Sequence, residues 1–161
     1  MSESDSPQKA IGGAMKALDA LKGVIGNIGS VMLEVAEEGC ETVKQQMIRY
    51  NIPTDGSLGD SIAATQIDGN TARIEADGGH ATFVEFGTGI VGKNHPHKEA
   101  EERGVVYDRN EHGESGWVYP KDGRFYHTKG QPSRPFMYSA KNKIVKNGRR
   151  LVMKRLNGDK K

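Results

Sequence analysis

The 161-residue chain has a single cysteine, Cys40. One thiol excludes an internal disulfide, and nothing points to an oxidising compartment. Aromatic residues make up 6% of the chain and hydrophobic residues 35%, both lean for one domain of this length. A lean core leaves folding marginal, so stabilisation through contacts between copies is expected. Long apolar runs are also missing. No stretch reaches the ~20 residues needed to cross a bilayer, and Met1 to Lys9 lack the apolar segment of a signal peptide. The expectation is a soluble protein that starts in a cytoplasm and has no membrane partner. The formal net charge of +2 carries no message by itself, but its distribution does. Residues 141–161 hold nine basic side chains against one acid, so a basic end follows an acidic body. Such an end can meet nucleic acid, an acidic partner or the acidic part of a neighbouring copy.

What is present is a change of period along one domain, residues 1–161. Residues 1–7 are polar and read as a disordered arm. From Ile11 to Val35, apolar residues recur at steps of 3-4-3-4-3-4-3, which draws a stripe down one helix face. Gly12, Gly13, Gly23, Gly26 and Gly29 argue against a uniform rod, since each costs roughly 1 kcal/mol relative to alanine. The helical region 8–50 is therefore expected as two helices, 8–26 and 30–50, with a kink near Gly26–Gly29. Asn51 and Pro53 end the second. After a turn-rich stretch the period becomes two. Ser61–Ile67 and Thr71–Ala76 flank Asp68-Gly69-Asn70 as a β-hairpin, and Ala81–Phe86 reads as a third strand. Residues 87–115 read as a long loop with a short strand at Val105–Tyr107. A second hairpin, Gly116–Pro120 with Arg124–Thr128, carries Trp117, Tyr119, Phe125 and Tyr126. Pro135 suits the first position of a helix that runs to about residue 157 and places Phe136, Ala140, Ile144 and Leu151 on or near one face. The expected class is α+β: helices at both ends, packed on a mainly antiparallel sheet spanning 58–128.

Several patterns imitate chemistry. Gly87-Thr-Gly-Ile-Val-Gly92-Lys93-Asn94 has the spacing of a phosphate-binding loop. Its last position needs a serine or threonine hydroxyl for magnesium, and Asn94 is a poor substitute. His95 and His97, with Glu99 or His112, could be drawn as a metal site, but a closed zinc site needs four ligands and the other histidines stand alone. Solvated loop histidines are the better reading. Ser133 and His127 have no surrounding signature that would position a nucleophile. No enzyme activity, cofactor or metal is therefore expected. The basic residues Lys143, Lys146, Arg149, Arg150, Lys154 and Arg155 are spread around the last helix without interleaved aromatics. A solvated face with a neutralising partner is the first reading and contact with DNA the second.

Three ordered segments carry a family resemblance. Pro53-Thr-Asp-Gly-Ser-Leu-Gly-Asp-Ser-Ile62 resembles a P-x-x-T-G-x-L-x-x-S-I junction. Ala81-Thr-Phe-Val-Glu-Phe-Gly-Thr-Gly89 resembles a strand ending in Y-x-E-x-G-T. Gln131-Pro-Ser-Arg-Pro-Phe-Met-Tyr-Ser-Ala140 resembles a Q-P-x-R-P-F-x-x-x-A helix start. Together they resemble the gene-product-ten-like tail-component family of tailed bacteriophages, over about residues 8–157. The resemblance implies a structural protein of the virion neck or tail, made in the host cytoplasm. It would join head to tail or complete the tail as a homo-oligomeric ring. Its neighbours would be connector or head-completion proteins, tail proteins and the genome DNA in the channel.

The residues of these segments also have a physical reading. Gly87 and Gly89 let the backbone leave the third strand sharply. Glu85 is expected to accept backbone hydrogens or to pair with Arg134. Pro132 and Pro135 hold the approach to the last helix extended and then start it. Interface elements are expected in the long loop and the aromatic hairpin.

Overall fold

The computed structural model describes residues 7–107 and 111–156, with only some side chains described at 7–27 and none at 155–156. The fold is α+β. Of the expected arm, residues 1–6 lie outside the described residues.

Helix α1 runs unbroken from Pro7 to Arg49, so the two helices expected here are one. Val31, Val35, Ala36, Cys40, Val43 and Met47 bury one face, while Glu34, Glu37, Glu38 and Glu41 lie exposed behind it. Two of the glycines in this helix are contact points rather than hinges. A Cβ on Gly29 would lie 2.7 Å from the carbonyl oxygen of Gly69, and one on Gly39 would strike the Ile74 side chain. The propensity lost at these positions is exchanged for close packing. The helix stops at Asn51, whose φ of 54° is left-handed. Ile52 N then donates to Met47 O at 2.8 Å and Asn51 N to Ile48 O at 3.0 Å. Those two bonds form a Schellman cap, and its apolar contact is the buried pair Met47 and Ile52.

After the short helix α2 (Ser57–Asp60), strands β1 (Ile62–Asp68) and β2 (Thr71–Ala76) form the expected first hairpin. Register pairs Ile62 with Ala76 and Ala64 with Ile74, so one face presents these four side chains to the core. Residues Ala81–Phe86 form helix α3 rather than a third strand. Their phenylalanines and valine favour a strand locally. Burial instead falls on Ala81 and Glu85, four apart, with half-buried Val84 beside them, which is a helical spacing that tertiary contacts enforce.

The expected long loop contains helix α4 (Gly89–Asn94) and a 3-10 turn at Gly113–Ser115, and Val105–Tyr107 is not a strand. Strands β3 (Trp117–Lys121) and β4 (Arg124–Thr128) form the second expected hairpin. The two hairpins belong to separate two-stranded sheets instead of one continuous sheet. Helix α5 (Phe136–Leu156) is as expected. It runs antiparallel to α1: Tyr50 meets Ser139 through a 3.0 Å hydroxyl contact, and Ile144 lies beside Gly39. One core cluster results, built from Cys40, Val43, Met47, Ile52, Ile62, Phe136 and Ala140.

Candidate functional site

The second and third motif segments, some fifty residues apart in sequence, meet at the start of α5. Thr88 and Gln131 exchange backbone hydrogen bonds of 2.9 and 3.2 Å. Arg134 N donates to Val84 O at 2.9 Å, and Gln131 Nε2 donates to Phe83 O at 3.1 Å. Gly87 makes the crossing possible. It ends α3 with φ 81° and ψ 174°, a region essentially reserved for glycine. A Cβ there would lie 2.7 Å from Ser133 N and 2.8 Å from Gln131 O. The first segment joins the same core through Ile62 and the half-buried Leu58.

Glu85 locks this crossing. Its Oε2 accepts from Met137 N and its Oε1 from Tyr138 N, both at 2.9 Å. These are among the amide hydrogens at the start of α5 that have no partner within the helix. A carboxylate more than fifty residues upstream thus caps the helix, and its charge also suits the positive end of the helix dipole. The expectation that Glu85 accepts backbone hydrogens holds. Its side-chain neighbour, however, is His97 and not Arg134.

His97 is buried, which corrects its reading as a solvated histidine; His95 does lie exposed. His97 Nδ1 accepts from Glu99 N at 2.9 Å, which places the proton of the neutral ring on Nε2. Nε2 sits 3.3 Å from Glu85 Oε1, close enough for attraction but not aligned as a hydrogen bond. Phe86 and Tyr138 pack around the ring, with centroids 4.6 and 5.1 Å away. Burial pushes the Glu85 carboxyl above the ordinary carboxylate range, while the two amides and His97 pull it part of the way back. The adjoining cleft of about 310 Å³ is therefore lined by a pair whose acceptor atoms are already engaged. That suits anchoring better than proton transfer. Nothing in the local sequence separates His97 from His95; only the fold distinguishes them.

The glycines that imitate a phosphate loop serve packing. Lys93 lies exposed in the last turn of α4, where a phosphate-binding lysine would need the first. Gly89 (φ 60°) lets the chain pass under Trp117, whose Cζ3 would be 2.9 Å from a Cβ there. Among the described residues, no three His, Cys, Asp or Glu side chains come together as a metal site. No helix among them is long and apolar enough to cross a membrane.

The aromatic hairpin divides into base and tip. Trp117 is half-buried at the base and stacks on His112 at 5.5 Å. Beyond it both faces are open. Tyr119 and Tyr126 stack at 5.8 Å on one face, 39% and 40% exposed. On the other face Val118 is 59% and Phe125 80% exposed. On α5, Lys143, Lys146, Arg149, Arg150 and Lys154 are exposed, and the Arg155 side chain lies outside the described residues. Of Pro135 and Phe136, expected as interface or structural positions, Pro135 lies just before α5 instead of at its first position, its carbonyl accepting from Ser139 N, and Phe136 opens the helix wholly buried in the core. Comparison with protein-family models, with curated proteins and with solved structures returns no match.

Proposed function

We propose that this chain is a structural subunit of a tailed-phage neck or tail. In this reading it joins head to tail or completes the tail by assembling into a ring. Connector or head-completion proteins and tail proteins would adjoin it, after assembly in the host cytoplasm. No catalytic step and no cofactor enter the reading. The supporting observation is the β3–β4 hairpin. It carries Val118, Tyr119, Phe125 and Tyr126 into solvent, although aromatics are scarce in this chain. A lone two-stranded hairpin is marginal in water, and exposed aromatics on a rigid base are what interface cores are made of. The resemblance of the three motif segments supplies the phage context. The convergence of those segments on one crossing gives the hairpin a fixed base from which to project.

The test is mass in solution, alone and with connector and tail proteins, for wild type and for Val118→Asp with Phe125→Asp. The double variant is expected to weaken assembly at least ~30-fold, the consequence of losing hot-spot contacts worth about 2 kcal/mol or more. Its circular dichroism should stay native, because both side chains lie outside the core. A wild-type chain that remains monomeric under all these conditions refutes the reading.

A second reading, a nucleic-acid-binding accessory protein, is favoured by one observation. From Lys141 to Leu156, α5 carries seven basic residues and no acid. Lys143, Lys146, Arg150 and Lys154 step by three or four along one side. If these four meet phosphates, log K for duplex binding should fall against log salt with a slope of roughly −4. A flat salt profile, or no duplex binding, removes this alternative.

A further inference from the structure

Helix α1 is longer than the body it supports. The tip of the β1–β2 hairpin touches it at Gly29, where Gly69 O closes on the helix. Toward the N-terminus the helix continues for more than twenty residues. There, among the described side chains, Met15 is 61% and Leu18 51% exposed, and a Cβ on Gly23 or Gly26 would meet nothing within 4 Å. A free helix of this length holding Gly12, Gly13, Gly23 and Gly26 should be unstable, at about 1 kcal/mol per glycine relative to alanine. It needs a partner.

The period says what kind. From Ile11 to Val35 the apolar steps of 3-4-3-4-3-4-3 repeat every seven residues without a break. On a straight helix such a repeat drifts by roughly 20° per heptad, and it stays in line only against another helix in a left-handed supercoil. The C-terminal end of the stripe, at Val35, is buried inside the fold, and Leu18 lies on its uncovered part. No other segment of this chain carries the same repeat. The buried residues of α5, Phe136 and Ala140, already pack against α1 within the chain.

We propose that the N-terminal half of α1 pairs with the same segment of a second copy as a coiled coil. The inference rests on the assembly reading only in taking copies of this chain as neighbours. It adds a second contact, on a different element from the β3–β4 hairpin. Few charged residues flank the stripe, so like-charge repulsion does not oppose the pairing: Lys16, Asp19 and Lys22 are the charged residues between Ile11 and Val31, and Asp19 and Lys22 stand 3.9 Å apart.

Sedimentation equilibrium of the full chain tests this with substitutions on the two sides of the helix. Leu18→Asp, on the stripe, is expected to weaken self-association at least ten-fold. Gly23→Asp, off the stripe in open space, should change it less than two-fold. Gly23→Ala with Gly26→Ala should raise helicity and tighten association several-fold. Leu18 lies outside the core, so the melting of the rest of the fold should be unchanged in its variant. If wild type assembles but Leu18→Asp and Gly23→Asp act alike, the coiled coil is wrong, and the hairpin variant then reports whether assembly uses β3–β4. A wild-type chain that never assembles removes both.

Discussion

A Glu85→Ala variant is expected to lose about 3–5 kcal/mol of folding stability in chemical denaturation, because two backbone donors lose their acceptor, at about 1–3 kcal/mol each, and a buried side chain is emptied. The substitution strands Met137 N and Tyr138 N at the start of α5 and leaves His97 Nε2 facing a cavity. Glu85→Gln separates charge from shape. An amide keeps one acceptor but turns an NH2 toward a backbone donor, so a loss of about 1–3 kcal/mol is expected. A loss below 0.5 kcal/mol for the alanine variant would show that Glu85 is not the anchor.

The pH dependence has a defined sign. Burial holds the Glu85 carboxyl above its ordinary range in the folded chain. Its contribution is therefore fully present below the unfolded-state value and is lost as pH rises through the higher folded value. Glu99 works the other way. Arg103 and Lys141 hold it below its ordinary range, so its contribution is lost as pH falls through that lowered value. The stability difference between wild type and Glu85→Gln cancels Glu99 and leaves Glu85 together with its contact to His97. That difference should shrink from acid toward neutral pH, and a difference that grows would contradict the burial argument.

Gly87→Ala should be nearly as damaging, at about 3–5 kcal/mol. Part of this is the backbone region itself, roughly 1–3 kcal/mol for a residue with a side chain. The rest is the clash of a new Cβ with Ser133 N and Gln131 O, both backbone atoms that cannot swing aside. Gly104→Ala is the control. Gly104 also has a positive φ, 61°, but a Cβ there meets nothing within 4 Å. Its cost should stay near 1–2 kcal/mol, the left-handed penalty alone. Equal losses at the two positions would mean that the 131–133 crossing does not press on Gly87.

Both hairpins and the last helix were legible because their signals are local. Asp68-Gly69-Asn70 and Lys121-Asp122-Gly123 fall between alternating runs, and Pro135 precedes a helical pattern. Gly87 was legible as a glycine that lets the chain turn, though out of an expected strand and not a helix, and Glu85 as an acceptor of backbone hydrogens or a partner of Arg134. Helix α3 was not, because six residues rich in phenylalanine and valine favour a strand until Ala81 and Glu85 must face the same way. The unbroken α1 was not either. Propensity counts the cost of Gly29 and Gly39 but cannot see the hairpin that lies against them.

Periodicity and turn chemistry alone thus established an α+β chain with two hairpins and a basic final helix. The subunit that packs rather than reacts comes from the motif resemblance and remains a proposal. Tertiary structure decided the rest: that there are two small sheets and not one, that His97 is buried on Glu85 while His95 is in water, and that Trp117 holds the base of a hairpin whose tip is open. The reason is range. Turns and stripes are specified by neighbours within a few residues, whereas burial of a histidine or the need for a missing Cβ depends on a segment some forty residues away.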